Sequence, residues 1–211
     1  LLDEDGNQVG GRLNLISMED PQVEPVLAYS SAVNQYLLLY ADTTEYYEYD
    51  VMGQMFGSDG DPVLGTILEI AVGKADQYTQ ALAVDDANER FLVVWHEYLE
   101  SNIYNIFGRF INADDGTMED DFAVYQSGQY QYRPSVALNT RDGSFLVAWE
   151  DDQDRLFARY FAADGTGMED PVQIYPEGEE LRNVKLVYNP VNNNYLAIYE
   201  DHSSFPTIIR C

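Results

Sequence analysis

The stretch FLVAW at residues 145–149 decides the fold, because the chain carries it four times in related form. Segments 28–40 (AYSSAVNQYLLLY), 83–95 (AVDDANERFLVVW), 137–149 (ALNTRDGSFLVAW) and 187–199 (VYNPVNNNYLAIY) align without a gap. Each closes on aromatic–Leu–apolar–apolar–aromatic, and the closing residues Tyr40, Trp95, Trp149 and Tyr199 are spaced 55, 54 and 50 residues apart. A period of this size marks a repeat architecture, in which one unit cannot bury its apolar face alone and stacks on the next.

A second pattern follows each copy. VMGQMFGSDG (51–60), IFGRFINADDG (106–116) and LFARYFAADG (156–165) each run from an apolar stretch into Asp-Gly. That dipeptide is a strong hairpin signal, since Gly accepts positive φ and Asp tolerates it. The strands ILEIAV (67–72), FAVYQ (122–126) and VQIY (172–175) come after the turns. Each repeat therefore reads as four short strands rich in Val, Ile, Tyr, Phe and Trp. The second strand is apolar at every position, where a sheet with one wet face would alternate. Both of its faces are expected to be covered by neighbouring sheets.

The fourth copy stops at TIIRC (207–211). The missing turn and strand are expected at the other end of the chain, in LLDEDG (1–6) and LNLIS (13–17), with a wrapped spacing of 52. These features predict an all-β fold: one four-bladed β-propeller over residues 1–211, with four antiparallel strands per blade. The repeats span approximately 23–72, 78–127, 133–176 and 183–211 plus 1–17, so that the N-terminal strand completes the last blade. An open stack of the same blades satisfies the same pattern. PSVALN (134–139), FLVAWED (145–151) and ARYFAADG (158–165) resemble propeller-type tandem repeats of bacterial secreted and surface proteins. That resemblance implies adhesion, surface display or ligand binding.

Composition narrows the partners. Thirty-seven acidic residues against 11 basic ones give a net charge of −26, and Lys74 and Lys185 are the only lysines. Such a surface repels nucleic acid and anionic membranes and attracts cations. No apolar run approaches the ~20 residues of a membrane helix. The acidity points to an extracellular or cell-surface setting. The lone Cys211 excludes an internal disulfide and a multi-cysteine zinc site. Leu1 at the start suggests a processed or excised product.

Three groups of residues are candidates for function. Asp42, Glu97, Asp151 and Asp201 each stand two residues after a closing aromatic, and Glu150 and Glu200 precede two of them. As hard oxygen ligands on one rim they would suit Ca²⁺; as loop acids they would bond local amides. The tyrosines Tyr46, Tyr47, Tyr130 and Tyr132 offer flat faces and hydroxyls for sugars or protein contacts. His96 and His202 are expected on the rim. The chain lacks a G-x-S-x-G elbow, an HExxH motif and a P-loop. A carboxylate pair for glycoside hydrolysis is available among so many acids, but nothing in the sequence singles one out. The resulting expectation is a non-catalytic structural or adhesive module, a unit of a surface or matrix filament stabilised by calcium. It would associate with itself or with other surface proteins. A multivalent carbohydrate-binding lectin is the alternative, and a glycoside hydrolase the third reading.

Overall fold

A computed structural model of the chain describes residues 4–7, 15–16, 21–43, 49–63, 65, 67–73, 76–99, 103–174, 180–203 and 205–211, with backbone alone at 79 and 80. The described residues contain fifteen strands and no helix. They form four antiparallel sheets in chain order. The first comprises β1 (Gln22–Ser30), β2 (Gln35–Thr43), β3 (Tyr49–Gly57) and β4 (Leu68–Ala71). The second comprises β5 (Gln77–Asp85), β6 (Arg90–Leu99), β7 (Ile103–Asn112) and β8 (Phe122–Tyr125). The third holds β9 (Gln131–Leu138), β10 (Phe145–Asp151), β11 (Leu156–Phe161) and β12 (Val172–Gln173). The fourth holds β13 (Leu181–Asn189), β14 (Asn194–Asp201) and β15 (Ile208–Arg210).

The unbroken apolar strand is explained by its two faces. Phe91, Val93 and Trp95 of β6 pack toward the first sheet, on Leu37, Leu39 and Ile70. Leu92 and Val94, one step out of phase, pack toward the third, on Phe145, Val147 and Trp149. Leu146 and Ala148 of β10 then meet Leu181, Val184 and Tyr199 of the fourth. Because successive side chains of a strand point to opposite faces, alternate residues serve the preceding and the following blade. Trp95 and Trp149 are among the most deeply buried side chains.

The turn between the first and second strands of each blade uses one left-handed residue at the same repeat position: Asn34, Glu89, Gly143 and Asn193. Asn and Gly tolerate this conformation. The Asp-Gly hairpins have the positive-φ glycines expected of them, as at Gly116 and Gly165.

Among the described residues the ring is not closed. β5 contacts β1, β9 contacts β5 and β13 contacts β9, whereas β13 and β1 share no comparable contact. The expected completion of the last blade by residues 13–17 falls largely outside the described residues. Leu15 and Ile16 are described and are not in a strand. Ile16 packs against Leu38, Tyr40 and Phe56 on the outer face of the first sheet. It thus covers the first blade at the place where the outermost strand of a preceding blade would lie. The fourth sheet keeps three strands. Repetition of sequence specifies how one blade meets the next; it does not set the angle between blades that decides closure.

Candidate functional site

Each first strand of a blade carries the same irregularity. Pairing shifts between Val23 and Val26, between Tyr78 and Ala81, and between Arg182 and Lys185, and in the third blade between Ala148 and Glu150 on the facing strand. A β-bulge bends a strand and re-aims a side chain, and bulges concentrate at rims and functional sites. Here the bulge puts Glu24, Arg133 and Asn183 at φ 54°, 47° and 56°. Non-glycine residues in this region are sparsely populated, and strain of this kind gathers where function needs it.

Opposite the bulges stands one repeat position, the residue after each closing aromatic: Ala41, His96, Glu150 and Glu200. Glu150 is 2% exposed. One of its carboxylate oxygens pairs with the Arg133 guanidinium, and Oε2 accepts the Asn183 backbone N–H at 2.8 Å. Burial raises its pKa above the ordinary value and outweighs the lowering by Asn183 and Arg133. Glu200 is held below its ordinary value, first by a hydrogen bond with His202 and then by one with the Asn183 side chain. His202 Nε2 lies 2.9 Å from Glu200 Oε2. Asn183 therefore touches both carboxyl groups, one biased toward keeping its proton and the other toward losing it. Arg133 and Glu150 line a cavity of about 280 Å³ together with Tyr132, Asp152, Asp154 and Arg182. Arg182 closes one side through a two-bonded pair with Asp154, at 2.9 and 2.8 Å.

Tyrosines flank this cavity. Tyr130 and Tyr132 stack with centroids 5.9 Å apart and planes at 9°. Tyr104 contacts both, and Tyr98 and Tyr78 contact Tyr104. Burial and the Asp152 charge push the Tyr132 hydroxyl up to about 12, so it stays a neutral donor. His96 lies beneath, 5% exposed, against Tyr78, Tyr104 and Tyr132, and its Nδ1 has no hydrogen-bond partner among the described residues. Burial and then the Arg133 charge lower its pKa to about 3.

The four carboxylates proposed as cation ligands each sit on a separate blade and bond locally. Asp42 accepts from Gln22, and Glu97 from the Trp95 indole at 3.1 Å. Asp151 accepts the backbone N–H groups of Gln153 and Arg155 and pairs with the Arg155 guanidinium. Asp201 accepts from Ser203 and pairs with Arg210. Among the described residues no three His, Cys, Asp or Glu side chains gather as a metal site. Tyr46 and Tyr47 lie outside the described residues. His96 was expected on the rim, and the structure buries it. Sequence reading noted Glu150 and Glu200 only as neighbours of the chosen acids, and it missed Arg133 and Asn183. The aligned position after each closing aromatic carried the signal, since it holds Ala, His, Glu and Glu in the four copies.

No family model and no curated protein matches the chain. Solved structures do. It is similar to an endo-arabinase from Bacteroides thetaiotaomicron, with 12% identity, TM-score 0.58, and coverage of 88% of this chain and 72% of that one. It is also similar to an exo-β-1,3-galactanase from Phanerochaete chrysosporium with bound β-1,3-galactotriose (11% identity, TM-score 0.62, 92% and 47% coverage). A GH62 hydrolase with bound xylotriose aligns at 8% identity, TM-score 0.53, and 90% and 68% coverage. The chain thus spans about half of the galactanase and about two thirds of the others. These likenesses establish a propeller-like all-β fold; they identify no repeat family. They also overturn the expectation of a non-catalytic structural or adhesive module and the exclusion of enzymes. That exclusion rested on missing local motifs. Glu150 of β10 and Glu200 of β14 stand on different blades, 50 residues apart, so no short spacing brings them to notice together.

Proposed function

We propose that the chain is a carbohydrate-active protein of the glycoside hydrolase type, with its reacting centre on the bulged rim between the third and fourth blades. The observation that carries this reading is Asn183, bonded at once to a buried Glu150 with raised pKa and to a Glu200 with lowered pKa. Two titratable groups driven apart by their surroundings define acid and base roles. Glycoside hydrolysis needs such a pair: one carboxyl protonates the leaving oxygen while an ionised one activates water or stabilises the developing positive charge. Glu150 takes the first role and Glu200 the second. The stacked Tyr130 and Tyr132 offer a flat apolar face to a sugar ring. Neutral polysaccharide suits a surface of net charge −26 better than a polyanion. The structural neighbours hold xylotriose and galactotriose, which supports a neutral oligosaccharide as ligand. An extracellular setting fits both the acidity and a polymeric substrate.

The test is release of reducing ends from arabinan, xylan and galactan oligosaccharides by the wild-type chain, Glu150→Gln and Glu200→Gln. Turnover by the wild type is expected, with a loss of at least ~100-fold in either variant, the scale of removing a general acid or base. Retained turnover in both variants would remove the assigned pair.

A further inference from the structure

The three contacts between consecutive blades supply an internal standard for the two end faces. In the first three blades, the positions that meet the following blade are Leu37 and Leu39, Leu92 and Val94, and Leu146 and Ala148, all buried. The same positions in the fourth blade are Leu196 and Ile198, exposed at 49% and 41%. Val187 is 56% exposed, whereas its counterparts Ala83 and Ala137 are buried. Ile209, paired with Glu200 on the neighbouring strand, extends this face and is 65% exposed.

The opposite end shows the converse. Leu82 and Val84 pack into the junction with the preceding blade, as do Val136 and Leu138 in the next repeat. Their equivalents in the first blade are Leu27 and Tyr29, at 56% and 42% exposure. Ile16 covers the outer part of that face, over Leu38 and Tyr40, and leaves the Leu27 part open. A bare three-stranded face at one end thus matches a face at the other that is covered only where a fourth strand would lie.

We infer that the face of Leu196 and Ile198 docks onto the Leu27 face of a second copy of this chain, head to tail. Such a junction continues an interface already built three times within each molecule. The docking copy presents Leu27 and Tyr29 at the positions where Val136 and Leu138 sit on the blade before them. It is a heterologous contact, so each copy spends two different surfaces. Apolar burial drives it, while the like net charges oppose it, so added salt strengthens it.

Sedimentation velocity of the full chain over a range of concentration and salt tests this, using Leu27→Asp and Leu196→Asp. Both side chains are about half exposed in the single chain, and circular dichroism checks that each variant is folded. Wild type is expected to sediment above the one-chain mass, increasingly with salt. Each variant alone is expected to be monomeric, because each lacks one of the two faces. A mixture of the two variants should form dimers and stop there, since only one productive junction remains. Wild type at the one-chain mass under all conditions would overturn the inference, and so would variants that associate as wild type does.

Discussion

Replacing His96 by Phe isolates one buried titration from a chain crowded with acids. The imidazole is 5% exposed, stacked on Tyr78 at 5.6 Å and edge-on to Tyr104 and Tyr132. Its folded pKa is about 3, lowered by burial and by Arg133. An unfolded histidine titrates near 6.5. Below that value the unfolded chain binds a proton that the folded chain refuses, so stability falls as the solution is acidified. Between pH 7 and pH 4.5 this single group costs roughly 2–3 kcal/mol, taking the folded value as about 3. Glu150 contributes with the opposite sign, since its raised pKa lets the folded state take up a proton early. The falling net repulsion also stabilises the folded state on acidification. Both effects are common to wild type and variant, so their difference reports His96 alone. Urea unfolding followed by fluorescence of the buried Trp95 and Trp149, from pH 7 to 4.5, measures it. The variant should cost about 1–3 kcal/mol at pH 7 from the extra ring volume, and should gain on wild type by roughly 2–3 kcal/mol on going to pH 4.5. Stability curves that stay parallel over this range would refute the assignment of a neutral, buried imidazole.

Three further outcomes follow from the packing. Gly108→Ala would put a methyl group 2.9 Å from the Phe122 ring, and the overpacking is expected to cost about 1–3 kcal/mol in urea unfolding. Asp151→Ala strips the carboxylate from Arg155 and from two backbone amides, and a loss of roughly 3–5 kcal/mol is expected from breaking so enclosed a pair. Calcium is tested by melting the chain with the ion and with a chelator. A cation at Asp151 or Asp201 must compete with Arg155 or Arg210, so the same Tm is expected with dilute calcium and with chelator, and a rise with dilute calcium would contradict that competition.

Much of the fold was legible because its cause is local and repeated. FLVVW and FLVAW are apolar throughout, and Phe91–Val93–Trp95 against Leu92–Val94 show why: alternate side chains enter different junctions. Closure was not legible, since Ile16 and Leu27 can each satisfy the same pattern whether or not the fourth blade swings round to meet them. The site was hidden for a different reason. Asp151 and Asp201 stood out as repeated acids, yet each is absorbed by a neighbouring arginine. The proposed pair stands one residue earlier, on Glu150 and Glu200, where the bulge residue Asn183 reaches Glu150 across the junction of two blades. A bulge has no spacing signature of its own. It shows only when paired strands are laid side by side.

The most direct measurement of the central claim is a pH titration of the Glu150 and Glu200 carboxyl carbons by NMR, with single-site Gln variants to assign the signals. The account predicts that Glu150 titrates above the ordinary glutamate range and Glu200 below it. Two carboxyl groups titrating together at the value of a solvated glutamate would contradict it.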